Sequence, residues 1–245
     1  MSHLLNPGAG RRSLRTRYAP CPKRVMNNFP QKSEKCFLCG STENLTRDHI
    51  PPENLFKPPL PTNLITVPSC LECNGSYSLD EEYFRACVAT QGYWHPIGEW
   101  IWENKVIGST FHRSPTLKKA IASTYTTVPI QTPSGLYAGE QGALLYRADR
   151  LQRVVEKICR GLYTHHHPEV DLTDVLVEVN MTRINDGLKN ILPLFKRESI
   201  GGDTFIYWRG IHEEDARQSI WFFLFYTQTL FTVCTRRKLS NGHGA

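Results

Sequence analysis

The sequence has no apolar run long enough to cross a membrane; the longest, residues 220–226, is the size of a strand. It also has no apolar segment behind its basic N-terminus. Arg11, Arg12, Arg15 and Arg17 are followed by polar and turn-forming residues, so a secretory signal is not expected. Without a signal, the eight cysteines do not read as a disulfide scaffold. A reducing cytoplasm with metal-bound thiolates is the expected setting. Acids are nearly missing from residues 1–35, which carry eight Lys/Arg against one Glu. The formal excess of +6 therefore sits entirely in that segment, and the remaining 210 residues sum to −1. Bases are scarce in turn over residues 36–100, with three Lys/Arg against eight Asp/Glu, a net of −5. Such a stretch does not hold a polyanion by itself.

What is present suffices for a folded core. At 245 residues and 40% hydrophobic content the chain accommodates one large or two modest domains. Residues 1–35 are polar, basic and rich in Gly and Pro, without periodicity, and are expected to be disordered. They read either as a basic arm that holds DNA or as an extension upstream of a natural start at Met26. The organising stretch follows, over residues 36–74. Cys36 and Cys39 form one Cys-x-x-Cys pair and Cys70 and Cys73 another. Each pair places two sulfurs on one turn, Gly40 lets the backbone fold back, and four thiolates suit tetrahedral zinc.

Thirty residues separate the two pairs, enough to build something between them. Residues 46–50 have the character of a short strand stopped by Pro51 and Pro52, and residues 63–68 that of a second. Successive strand residues face opposite sides, so Asp48 and His49 need a twist or bend to share a site. Asn74 and Gly75 are expected to turn the chain. Ser78 with Glu81 then fits a capping box for a helix through Val88.

Cys-x-x-Cys, Asp48-His49, Asn63-Leu64 and Cys-x-x-Cys-Asn, in this order, resemble the HNH endonucleases, the ββα-metal nucleases, in their four-cysteine branch. The resemblance covers about residues 36–88. It implies a zinc-stabilised ββα-metal nuclease motif, expected in residues 36–100; the patterning of residues 101–245 separately suggests a C-terminal α+β region ending in an antiparallel sheet, so the expected fold class is α+β. The resemblance implies phosphodiester hydrolysis in DNA, with His49 as the general base that activates water. Asp48 and Asn74 would hold a catalytic divalent ion, and Asn63 would brace the loop that orients His49. Many family members carry a further histidine four residues after the Asn74 position, where this chain has Ser78. With only Asp and Asn as ligands, Mg²⁺ or Mn²⁺ is expected there rather than zinc. One site per chain cuts both strands of a duplex only as a homodimer or by successive nicks.

Beyond the motif, Trp94, Trp100 and Trp102 offer either base stacking or packing. A short helix is expected over residues 115–125 and a hairpin over 128–137. In the next helix, residues 149–162, Leu151, Val154, Val155, Ile158 and Leu162 share one face. Arg150, Arg153, Lys157 and Arg160 are expected on the other side, either solvated or contacting the DNA backbone. His165, His166 and His167 end that helix and are read as non-catalytic, and residues 212–215 as a solvated acidic turn. Residues 172–179 fit a strand or a short helix. Strands over 205–211, 220–226 and 229–235 form a meander with Trp208, Trp221, Phe223 and Phe225 in its core.

The competing reading is a non-catalytic zinc-knuckle module that binds nucleic acid or protein. The acidic surroundings of the knuckles and Asn74 directly after Cys73 favour the enzyme.

Overall fold

A computed structural model describes residues 35–238, so nearly all of the expected basic arm lies outside the described residues. Strand β1 (Leu45–Ile50) pairs antiparallel with β2 (Ile65–Cys70) from Leu45↔Cys70 to Ile50↔Ile65 without a register shift. A 3-10 turn at Glu53–Leu55 follows the prolines that stop β1. From β2 the chain passes directly into a short helix, α1 (Leu71–Ser76), and then α2 (Ser78–Gln91). The expected turn at Asn74-Gly75 is thus helical. The expected capping box is also absent: Tyr77 is the N-cap of α2, and the Ser78 hydroxyl donates to Gly75 O at 2.8 Å.

The stretch after α2 is more regular than its aromatic and Gly content suggests. His95 caps α3 (Pro96–Trp100) by accepting from Ile97 N at 3.2 Å. A π-helix (Ile101–Thr110) and α4 (Phe111–Arg113) continue the run, and α5 (Pro115–Ala122) follows. Strands β3 (Tyr125–Gln131) and β4 (Tyr137–Leu144) form a hairpin that pairs only with itself. Helix α6 (Ala148–His166) is followed by β5 (Val175–Thr182), α7 (Asp186–Ile191), β6 (Lys196–Ile200), β7 (Phe205–Ile211), β8 (Ser219–Phe225) and β9 (Thr229–Arg237). The last five strands make one antiparallel sheet in the order β5-β9-β8-β7-β6. With antiparallel sheets and separate helices, the architecture is α+β.

Period-2 alternation sorts the sheet's side chains onto two faces. Phe205, Tyr207, Trp221, Phe223 and Phe225 join the main core, whereas Ile206, Trp208, Phe222 and Leu224 build a smaller one on the other face. The continuous apolar run of β8 is therefore buried on both sides. The main core also contains Ile50, Leu55, Val67, Phe84, Val154, Ile158 and Leu162. It thus spans residues before and after position 100. Helix α6 is central to it, packing on α2, β1, β2, β5 and β9.

Candidate metal centre and adjoining charge cluster

The four cysteines converge because three local structures meet. Gly40 at φ 76° lets Gly40 N donate back to Cys36 O at 2.8 Å, and Phe37 N donates to Pro68 O at 3.0 Å, fixing the first turn on β2. Cys70 is both the last residue of β2 and the N-cap of α1, accepting from Cys73 N at 3.4 Å through Sγ. The four sulfurs lie within 4.8 Å of one another. Cys39 Sγ and Cys70 Sγ are 3.7 Å apart, too far for a disulfide. A tetrahedron with metal–sulfur bonds of about 2.3 Å has an edge of about 3.8 Å. Burial opposes ionisation of Cys36, but the backbone amides of Cys70, Cys39 and Leu38 outweigh it and bring the thiol down to about 6. The four cysteines are positioned to hold a metal ion. They are the one such group of His, Cys, Asp or Glu side chains among the described residues. Cys87, Cys159 and Cys234 are free and lie elsewhere, and burial raises all three thiols.

Beside this cage, β1 presents two different faces. Thr46, Asp48 and Ile50 alternate toward α6, and Asn74 joins them by donating from Nδ2 to Thr46 Oγ1 at 3.0 Å. Thr46 Oγ1 in turn donates to Ser69 O at 2.9 Å. With Nδ2 committed, the remaining polar atom of Asn74 is Oδ1. His49 belongs to the other face. Its side chain is 33% exposed, and Nδ1 lies 3.3 Å from Glu53 Oε2 on the following turn. No register shift in β1 brings His49 round to Asp48. The structure therefore ties Asn74 to Thr46, two residues before Asp48 on the same side of β1, and leaves His49 on the opposite face of the strand, so the three expected site residues do not converge.

The surroundings of Asp48 were not anticipated from the sequence. Lys157 of α6 donates from Nζ to Asp48 Oδ1 at 3.0 Å and to Glu81 Oε1 at 2.6 Å. Asp48 Oδ2 lies 2.8 Å from the same nitrogen but has no well-directed donor, and it is buried. Burial raises the carboxyls of Asp48 and Glu81, with Lys157 acting against the shift in each. For Lys157 burial pulls downward, but Asp48 and Glu81 win and raise it. The ammonium is therefore the firmly charged member of the cluster, facing two carboxyls that compete for it.

The basic stripe of α6 is not the free surface expected. Lys157 is wholly buried. Arg150 Nε and Arg153 Nη1 each reach an Asp80 oxygen at 2.6 Å. Arg160 bonds Glu156 and the carbonyls of Leu172 and Val175. These side chains fasten α6 to α2 and β5, which leaves Lys157 unable to reach a phosphate from outside and the three arginines already engaged. Asn63 likewise spends its amide elsewhere than on the loop of His49. Its Nδ2 donates to Ser199 O at 2.9 Å and its Oδ1 accepts from Gly201 N at 3.3 Å, bracing the β6–β7 turn. Of the three tryptophans considered for base stacking, Trp100 and Trp102 pack against the core and Trp94 is 87% exposed.

His166 and His167 are held in a separate polar cluster. His166 Nε2 and Tyr207 Oη are 2.9 Å apart, Tyr207 donates to Glu198 at 2.9 Å, and Arg209 lies 3.0 Å from His167 Nε2. In the turn after β7, Asp215 pairs with Arg237 at 2.9 Å. Among the described residues no helix is long and apolar enough to cross a membrane. Compared with known proteins, the chain matches no family model, no curated protein and no solved structure.

Proposed function

We propose that the chain is a metal-dependent endonuclease of the HNH type that hydrolyses phosphodiester bonds in DNA, with zinc in the four-cysteine cage. One observation carries this reading. The cage closes on the hairpin and on α1, next to Asp48 of β1 and Asn74 of α1, while His49 follows Asp48 on the opposite face of that strand, so an active site requires β1 to twist between them. Glu53, close to His49 Nδ1, suits a role of orienting the imidazole with Nδ1 protonated, so that Nε2 serves as the base toward water. The side chain is open enough for water and substrate to reach it.

By donor chemistry, Asp48 and Asn74 suit an oxygen-ligated divalent ion, Mg²⁺ or Mn²⁺. Lys157 Nζ, however, lies 3.0 Å from Asp48 Oδ1 and 2.8 Å from Oδ2, so an ion there would have to displace the ammonium. Such an ion, held by Asp48 and Asn74, would offset charge on the phosphate and the departing 3′ oxygen. What the chain itself contributes is the proton acceptor at His49, its orientation by Glu53, and the fixed placement of Asp48 and Asn74. Because the arginines of α6 are engaged internally, the proposed source of positive charge for DNA is the sequence before residue 36, which carries eight Lys/Arg against one Glu.

The non-catalytic zinc module is favoured by a specific observation as well. Asp48 is buried and already paired with Lys157, as a purely structural carboxylate would be. Plasmid digestion with Mg²⁺ or Mn²⁺ separates the two readings, using wild type and His49→Ala that each retain one zinc. Cleavage by wild type, lost by at least about a hundredfold in His49→Ala, is the expected result. Equal inertness of both proteins across ions and substrates, with one zinc bound in each, would instead overturn the nuclease reading and favour the binding module.

A further inference from the structure

We propose that the β3–β4 hairpin is a dimerisation arm, and that the outer edge of β4 pairs antiparallel with the same edge of a second copy of this chain. The arm pairs with no other strand of its own chain. A two-stranded hairpin by itself is marginally stable in water. Its apolar side chains are uncovered as well. Tyr125, Leu136 and Tyr137 are more than half exposed, and Val128 and Ile130 also face solvent.

The composition of the arm selects a protein partner over a nucleic acid. Residues 124–146 contain three tyrosines and a single charged side chain, Glu140, in a chain that is 21% charged. Few charges and many tyrosines mark the centre of a protein interface. A surface without cations offers nothing to a phosphate backbone.

Backbone hydrogen bonding then selects the edge. Leu145 N donates to Thr124 O at 2.9 Å, and bonded and non-bonded pairs alternate along an antiparallel ladder from there. Thr127↔Gly142 and Pro129↔Glu140 fall on non-bonded pairs, so their backbone groups point out of the hairpin. On β3 the outward row is interrupted by Pro129, which has no N–H and closes that edge to another strand. On β4 the outward row of Glu140, Gly142 and Leu144 has every N–H.

A second copy complements this edge. About a two-fold axis at position 141, Glu140 of each copy lies opposite Gly142 of the other, and each pair exchanges two N–H···O bonds. That register keeps the two Glu140 carboxylates from facing each other. It also overlaps β4 along its length and brings Tyr137 of one copy level with Leu145 of the other, both 67% exposed. The result is a four-stranded sheet whose two outer edges both carry Pro129, so pairing stops at two copies. The proposal rests on β3 and β4 alone and does not depend on the nuclease reading.

The test is sedimentation equilibrium of the full-length, zinc-loaded protein. The interface is small beside that of an obligate dimer, so wild type should pass from monomer to dimer between about 1 and 100 μM. Gly142→Pro removes an outward N–H but no bond of the hairpin, and should weaken the dimer by at least about tenfold. Thr127→Pro makes the same change on the β3 edge and should leave association unaltered. A wild type that stays monomeric up to about 100 μM, whatever else the arm then binds, overturns the proposal. So does equal association of the two proline variants. Where Gly142→Pro does not fold, amide exchange in wild type decides. The Glu140 and Gly142 amides should be protected at high concentration and exchange freely on dilution, while the Thr127 amide exchanges freely at both. Equal exchange at Gly142 and Thr127 overturns the pairing.

Discussion

At the residue scale, Gly161 and His166 show how single positions of α6 set the fit of the molecule. Gly161 is the contact point of helix and hairpin, and its missing side chain is what permits the approach. Gly161→Ala gains about 1 kcal/mol of helix propensity, but forcing a methyl onto the fully buried Ile50 costs about 1–3 kcal/mol. A lower melting temperature is expected, partly restored by adding Ile50→Val, and a raised one would show that the helix can move away. His166 makes a different prediction. Burial, then the Arg209 guanidinium, lowers its pKa from 6.5 to about 4. A group whose folded value is depressed is protonated first in the unfolded chain. Its contribution is complete above pH 6.5 and is lost as pH falls from 6.5 toward 4. The melting temperature should fall over that window in wild type and fall less steeply in His166→Gln.

At the element scale, the turn joining β8 and β9 is held by its surroundings against local preference. Tyr226 and Thr227 have φ of 49° and 56°, and Gln228 N donates to Phe225 O at 3.0 Å, the pattern of a type I′ turn. Such turns favour Asn-Gly, and a β-branched residue in the left-handed region is strained by about 1–2 kcal/mol. Tyr226 keeps its place because it is fully buried and its hydroxyl donates to Leu55 O at 2.7 Å. Thr227 has no such anchor. Thr227→Gly should therefore raise the melting temperature by a few degrees. An unchanged or lowered value would mean that the loss of backbone freedom in the unfolded chain outweighs the relief.

At the scale of the whole molecule, the candidate site depends on segments far apart in sequence. Phe84 of α2 packs on Phe225 and Phe231 with ring centroids at 5.3 and 5.9 Å. Tyr226 reaches back to Leu55, and α6 supplies the cation beside Asp48. A fragment of residues 36–100 would expose this shared core and leave Asp48 and Glu81 without their partner. Expressed alone with zinc, it should lack the dispersed amide spectrum and cooperative melting of the full chain. A well-dispersed, cooperatively melting fragment would make residues 36–100 an independent domain.

The sequence by itself determined the elements whose signals are local. Prolines and β-branched residues bounded β1 and β2, the 3.6-residue apolar period found α6, and the run of aromatics found β7, β8 and β9. Two Cys-x-x-Cys pairs announced the metal cage, because each turn brings its own sulfurs together. Beyond local reach, the same reasoning failed in an informative way. The helical period groups Lys157 with Arg150, Arg153 and Arg160 on the outer face of α6. At about 100° per residue, however, Lys157 lies roughly 120° from the centre of the apolar stripe, on its flank. That angle was the one available sign, and it does not say which neighbour covers the flank. Glu81 matched a capping box equally well on paper, since a carboxylate near a helix start satisfies backbone amides or a distant ammonium with the same atoms. Only the tertiary structure decided between them. Partners separated by 76 and 109 residues meet there because helix and hairpin share one apolar core.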